Sequence, residues 1–369
     1  MKKAARTLLT VSILLFIMIF AFPGTDPVYA APDSGGAAAE TTQQSSFEYK
    51  KYSNNDRYRY ALRNKMKSVF KVLGENVDDE MTLPIPGLVE TCTKYKGKER
   101  TSDNFVPQGL CSTGKYILVT AYDAGKKNHS AIYVIDKDNQ ELVSTLTLPN
   151  SYHVGGIAFD GVNIWLTGDT SDKYKGNPFV QYITKENFNN MIEEPLHEIR
   201  KKEMSEFIYI KNKPSFLECD NGLLWVGTYI GRRDTKEAYM NGYRIMTDDS
   251  GNIKLNTMIY SVITGLDSSA QGADIFGKYL YVSSSYKGTA AGVKSSFITK
   301  YEISPVKDGK PVLKVSEREV SRIEVPKMNE EILVDSQYIY INFESGSKAW
   351  KRAVINTDRI LPVKRSLWG

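Results

Sequence analysis

Apolar and polar positions along this chain fall into a thirteen-residue pattern that occurs five times. Gln108–Thr120, Gly155–Thr167, Ser215–Gly227, Gln271–Ser283 and Glu330–Asn342 align without a gap. Each copy has a short apolar run, a Gly or polar turn, and a run of aromatic and β-branched residues that closes in most copies on Thr, Ser or Gly. Such runs are too short for helices, and two of them joined by a tight turn read as a hairpin. Successive copies lie 47, 60, 56 and 59 residues apart. That spacing is too long for a chain of bare hairpins and suits one four-stranded sheet per copy. The pattern predicts an all-β, five-bladed β-propeller over residues 84–369, with innermost strands starting near residues 108, 155, 215, 271 and 330.

A second hairpin follows each copy, its turn marked by Asp, Asn, Ser and Gly at Asp136-Lys137-Asp138-Asn139, Asp248-Asp249-Ser250-Gly251 and Asp308-Gly309. None of these matches a calcium loop with its distal Glu, so turn chemistry accounts for them better than metal binding. Blade two carries a charged insertion, Glu186–Glu206, with a short helix expected around Asn187–Glu194 before Pro195. A ring needs closing, and two segments are candidates for the fifth blade: Arg359–Val363 at the end and Gly87–Tyr95 ahead of the first copy.

The chain before the propeller divides in three. Lys2, Lys3 and Arg6, the apolar stretch Leu8–Phe22 and the small-residue site Val28-Tyr29-Ala30 read as a secretory signal peptide over residues 1–30, cleaved near Ala30. An uncleaved anchor is the alternative, but fifteen apolar residues fall short of the ~20 that span a bilayer. Residues 31–47, rich in Ala, Gly, Ser, Thr and Gln, read as a disordered linker. Residues 48–83 read as a helical extension: Asn54-Asn55-Asp56 offers a cap, Leu62, Met66, Val69, Phe70 and Leu73 recur at helical spacing, and Gly74 is placed to end it. Arg57, Arg59, Arg63, Lys65, Lys67 and Lys71 make its other face basic. That face suits peripheral contact with an anionic membrane, while the apolar stripe equally suits packing on the propeller.

Removing three basic side chains and one acid (Asp26) with the leader lowers the formal net charge from +5 to +3. That is no nucleic-acid signature. Three cysteines are too few for a disulfide framework; a Cys92–Cys111 bridge and free, buried thiols both stay open, with Cys219 read as a small buried hydrophobe.

Chemistry in a propeller sits where the innermost strands open onto the channel. The first position of the five copies is Gln108, Gly155, Ser215, Gln271 and Glu330, polar in all but one. With His153 and Glu331 beside them, and Glu344 and Lys348 in the last hairpin loop, these residues predict a polar, mostly uncharged funnel. Loops after the second strands add Tyr122-Asp123, Gly168-Asp169, Thr228-Tyr229 with Arg232-Arg233, and Ser284-Ser285-Tyr286-Lys287. Two accounts of the funnel stay open: a ligand site, or side chains that bond one another to hold the blades in register.

Enzyme classes find little support here. Glycoside hydrolysis needs two opposed carboxylates, and the only channel acids expected are Glu330 and Glu331 in blade five. As inward metal ligands only His153, Glu330, Glu331 and Asp123 qualify. No G-x-S-x-G nucleophile elbow and no phosphate-cradling Gly loop occurs. No cofactor is expected.

The phrases VPQGLCSTGKYILVTAYD, HVGGIAFDGVNIWLTGD, KPSFLECDNGLLWVGTY, AQGADIFGKYLYVSSSYKG and INFESGSKAW resemble uncharacterised exported bacterial β-propeller proteins, and NIWLTGD is similar to YVTN/NHL-type repeats. The resemblance covers Pro84 to Val363. It implies fold and export, and no activity. The expectation is an exported binding or interaction module, secreted or at the cell surface, for a small molecule, a glycan or a surface protein. The alternative is a metal-assisted hydrolase or lyase acting on a sugar or lactone-like substrate, with Glu330 or Glu331 as base or ligand.

Overall fold

The second strand of each thirteen-residue copy is buried along most of its length, and wholly so in Asn163–Gly168 and Leu223–Thr228. A strand covered by its neighbours on both faces has no solvent side, which is why these runs read as continuously apolar and do not alternate. The computed structural model describes residues 47–168, 178–231, 236–248, 253–286, 296–303, 312–350 and 353–369. The leader, nearly all of the linker and the loop residues Asp169, Arg232, Arg233, Lys287, Asp249–Gly251 and Asp308-Gly309 lie outside these. Gln43–Gly369 forms one compact unit.

Five antiparallel sheets carry the five copies, each copy supplying the first two strands of one sheet. The innermost strands are Phe105–Ser112, Ile157–Phe159, Phe216–Asp220, Ala270–Phe276 and Asn329–Val334, within a few residues of the predicted starts. The fold is a five-bladed β-propeller. Two blades gain a fifth strand that the pattern did not foretell. The blade-two insertion forms a helix at Lys185–Met191, capped by Thr184, and then lays Leu196–Glu198 parallel to the outer strand of blade one. Blade three is extended in the same way by Val312–Lys314, which pairs in parallel with its outer strand Ile253–Leu266. At the blade-one turn, Asp136 accepts the amides of Asp138 and Asn139, both at 3.0 Å, which is turn chemistry.

Small residues at the end of the copies have a specific task. Thr120 Oγ1 accepts the Gly109 amide at 2.8 Å and donates to the Val154 carbonyl of blade two at 2.7 Å. Asn329 of blade five donates to Ser283 of blade four at 2.7 Å, and Asn342 of blade five donates to the Gln108 carbonyl of blade one at 2.9 Å. Copy three breaks the pattern in a compensated way. Phe216 stands where three other copies have Gly, and its ring would lie 1.9 Å from a Cβ at Gly227, the one copy that closes on Gly.

Blade five closes the ring with strands from both ends of the chain. Its third strand is Arg359–Lys364, and its outermost is the two-residue Leu83–Pro84, in register Leu83 to Ile360 and Pro84 to Arg359. The outer edge suits a proline, which has no N–H to donate. The segment Gly87–Tyr95 does not join blade five. Thr91–Tyr95 forms a hairpin with Lys98–Ser102 around Lys96-Gly97, both at positive φ, and docks on the outer part of blade one through Lys94 N to Thr147 Oγ1 at 2.9 Å.

That placement also disposes of the Cys92–Cys111 bridge, and all three cysteines are free thiols. Cys92 sits on the hairpin beside the outer strand of blade one, while Cys111 lies on the innermost strand. Three strand spacings separate those two strands, roughly 14 Å, against a Cα separation below ~7 Å for a disulfide.

The helical extension is two helices, Asn55–Lys65 (α1) and Lys67–Leu73 (α2), broken at Met66. Asn54 caps α1 by accepting the Arg57 amide at 3.0 Å. Tyr58, Leu62, Val69 and Leu73 are buried in a core shared with Ile341, Phe343, Ile360 and Val363 of blade five, so the apolar stripe packs on the propeller. Arg57, Arg63, Lys65, Lys67 and Lys71 stay exposed, whereas Arg59 pairs with Asp79.

Candidate functional site

In an antiparallel hairpin, the end of the second strand lies beside the start of the first. Phe105 therefore faces Asp123, Ala270 faces Ser284, and Asn329 faces Phe343. The two residue sets read separately from sequence thus meet at one mouth of the channel. A cavity of about 230 Å³ opens there, lined in part by Gln108, His153, Gln271, Glu330 and Glu344. These are five of the seven residues predicted for the funnel. Ser215, Ser285, Tyr122 and Tyr229 complete much of the wall, and Lys213, Pro214 and Trp350 join them unforeseen. Lys213 and Pro214 immediately precede a copy, as His153 does, and that shared offset is the signal that could have found them.

The other two predicted residues sit elsewhere. Lys348 is exposed and turned outward to Asp103, at 2.9 and 3.0 Å from its carboxylate oxygens. Glu331 is 1% exposed and lies behind the mouth, its Oε1 accepting the Ala273 amide of blade four at 2.8 Å. Gly272 makes room for it: a Cβ there would stand 2.3 Å from Glu331 Oε1. The ladder is irregular between Asn329 and Ile332, and there Glu330 lines the mouth while Glu331 does not.

At the mouth, Gln271 Nε2 donates to Glu330 Oε1 at 3.3 Å, and Gln108 Nε2 donates to the Pro107 carbonyl at 2.7 Å. Gln108, Glu330 and Glu344 are sunk, at 3%, 3% and 5% exposure. The Tyr122 ring lies 4.4 Å from the ring of His153. Burial first, and then the Glu344 and Glu330 carboxylates, raise the Tyr122 phenol well above its ordinary value, so it stays a neutral hydroxyl.

Deeper in the channel the structure corrects the expectation that acids come from blade five alone. Asp274 of blade four and Glu331 act electrostatically on Glu218 of blade three, and Asp274 acts on Glu331. Glu218 and Asp274 share the fourth position of their copies, two beyond the position of Glu331, and so lie on the same strand face. Burial raises Asp274 to about 7 against the opposing Val334 amide, which donates to Oδ2 at 2.7 Å. Burial likewise raises Glu331 and Glu218 well above the carboxylate range, with Asp274 adding to both. The thiols of Cys111 and Cys219 are raised by burial and then by Glu218. None of these side chains lines the mouth cavity. Glu331 and Asp274 tie blades four and five together, accepting the amides of Ala273 and Val334.

Asp123 is committed to its own loop, accepting the amides of Gly125, Lys127 and Asn128. Among the described residues, no group of three His, Cys, Asp or Glu side chains is arranged to hold a metal ion. A second cavity, about 660 Å³, lies between blades three and four at the opposite end of the strands, with apolar walls including Leu223, Trp225, Ile263 and Ile275.

The fold and the mouth together define a five-bladed β-propeller with a small polar pocket on its axis. No protein-family model matches the chain, and no curated protein matches it in sequence. Solved structures similar to it include the glutaminyl cyclase of Myxococcus xanthus, 12% identical, with a TM-score of 0.41 over 77% of this chain and 95% of that one. The hydrazine synthase of Kuenenia stuttgartiensis is 11% identical, with a TM-score of 0.35 over 73% and 90%. A chain of a nidogen/laminin complex is 12% identical, with a TM-score of 0.34 over 69% and 81%.

Proposed function

We propose that the protein is an exported binding module that takes a small polar ligand at the channel mouth. The observation that carries this reading is the convergence of Gln108, Gln271, Glu330 and Glu344, from three blades, on one cavity of about 230 Å³. That volume is below the ~300–1,000 Å³ usual for drug-sized ligands, so the ligand is compact, of the order of a sugar unit or an amino acid. A wall of amides, carboxylates and hydroxyls suits a ligand dense in hydrogen-bonding groups.

Export rests on the leader-like residues 1–30 and on the resemblance of the copies to exported bacterial propellers of YVTN/NHL type. The mature protein then works outside the cytoplasm, secreted or at the cell surface. Contact with an anionic membrane falls to charge alone, through exposed Arg57, Lys65, Lys67 and Lys71, because the apolar stripe of α1 and α2 is already buried.

A thermal-shift screen of glycans and metabolites against Glu330→Gln and Gln271→Ala tests the binding reading. Both substitutions are expected to abolish binding while leaving the unliganded melting temperature nearly unchanged. A fall of several degrees in both, with binding retained, would make the mouth a structural ring.

A further inference from the structure

We infer that the cavity between blades three and four is a binding site for a planar aromatic compound with an N–H donor, of the indole class. Blade two supplies the comparison, because copies two and three are the ones that carry Asp at their sixth position and Trp at their eleventh. In blade two that pair is closed. Trp165 Nε1 donates to Asp160 Oδ2 at 2.7 Å, and Tyr182, its partner across the strands, packs on the indole with ring centres 5.0 Å apart.

In blade three the same pair is parted. Gly242 takes the cross-strand place of Tyr182, and the Trp225 ring lies so close over it that a Cβ there would stand 3.1 Å away. Trp225 Nε1 has no hydrogen-bond partner, and Asp220 Oδ2 accepts Asn221 Nδ2 at 2.8 Å in place of the indole. Asp220 and Trp225 both line the cavity, whose volume of about 660 Å³ falls within the ~300–1,000 Å³ of small-molecule sites. The room that blade two fills with its own indole is therefore left open beside the matching carboxyl of blade three.

The walls set the rest of the ligand. Ile263 and Ile275 give apolar surface, and Trp225 and Tyr260 give rings on which a further ring packs with a gain beyond its buried area. The two cations of the wall are engaged with other groups: Arg244 lies over the Tyr260 ring at 4.1 Å, and Lys278 pairs with Glu302 at 2.7 Å. A carboxylate accepts and cannot donate, so the polar group that meets Asp220 is a donor. An aromatic N–H satisfies both demands. This site makes no use of the channel mouth, whose proposed ligand is small and polar.

Calorimetric titration of the mature protein at pH 8 with indole and with benzofuran, which has the same shape and an oxygen where indole has its N–H, tests the inference. Indole should bind at least ~10-fold more tightly, the effect of a hydrogen bond to a charged acceptor. Asp220→Ala should remove that preference while benzofuran binding stays as it was. Gly242→Tyr, which gives blade three the closed arrangement of blade two, should abolish binding of both probes. If Gly242→Tyr does not fold, Asp220→Ala still decides, since that half-buried side chain bonds only its neighbour Asn221. No binding of indole, equal binding of the two probes, a preference that survives Asp220→Ala, or binding that ignores Gly242→Tyr would each overturn the site.

Discussion

Asp274 shows how a single carboxyl in the channel couples the fold to pH. Its folded value near 7 stands above the ordinary 3.8 because burial disfavours the charged form. Between about pH 4 and pH 7 the folded chain holds a proton that the unfolded chain has lost. Stability must then fall as pH rises through that window, and Glu218 and Glu331, also raised, act in the same direction. The melting temperature is expected to be higher at pH 5 than at pH 8, and Asp274→Asn is expected to flatten the dependence. A melting temperature that climbs across the window would remove the neutral-acid account of the channel. At the same scale, the raised thiols and their separation predict three free thiols in denatured, unreduced protein. A count of one would restore a disulfide. Glu218 and Asp274 were legible in principle, since they share one position of the repeat. The other copies carry Cys111, Ala158 and Leu333 there, so no polar ring marks that position.

Among the elements, the N-terminal segment and the last strand depend on each other through a fully buried ion pair. Arg359 and Asp358 are both 0% exposed. Arg359 donates to Asp358 at 3.0 Å, to the Tyr52 carbonyl at 2.6 Å and to Asn55 Oδ1 at 2.5 Å, and it lies 4.0 Å from the ring centre of Tyr49. Asp358 in turn accepts the amides of Lys51 and Tyr52 at 2.6 and 2.9 Å. Arg359→Leu leaves a buried carboxylate unpaired, a loss of about 3–5 kcal/mol. Hydrogen exchange should then show protection falling first in α1 and α2. Unchanged protection there would mean that the hydrophobic contacts of Leu62, Val69 and Leu73 hold the extension by themselves. Sequence periodicity marked this extension and its cap, but not the latch. A lone Arg beside an Asp gives no sign of burial until the far end of the chain is brought against it.

For the molecule as a whole, blade number and order were readable because each copy must satisfy the same inner-hairpin geometry. Closure was half readable: Arg359–Val363 was one of two candidates and does join blade five, whereas the outermost strand is two residues long and leaves no period to detect. The parallel additions Leu196–Glu198 and Val312–Lys314 escaped for the same reason. The mouth was partly legible. Its first-strand residues were gathered by alignment and Lys213 stands at the offset of His153, while Trp350 comes from a connecting segment whose position only the closed ring defines. In the proposed function, that ring focuses a small polar ligand onto its axis. Its most direct test is an experimental structure of the mature protein with the tightest ligand from the binding screen. The account predicts the ligand at the mouth, within hydrogen-bond reach of Glu330 and Gln271. A ligand seated instead between blades three and four, or on the outer loops with the mouth unchanged, would contradict it.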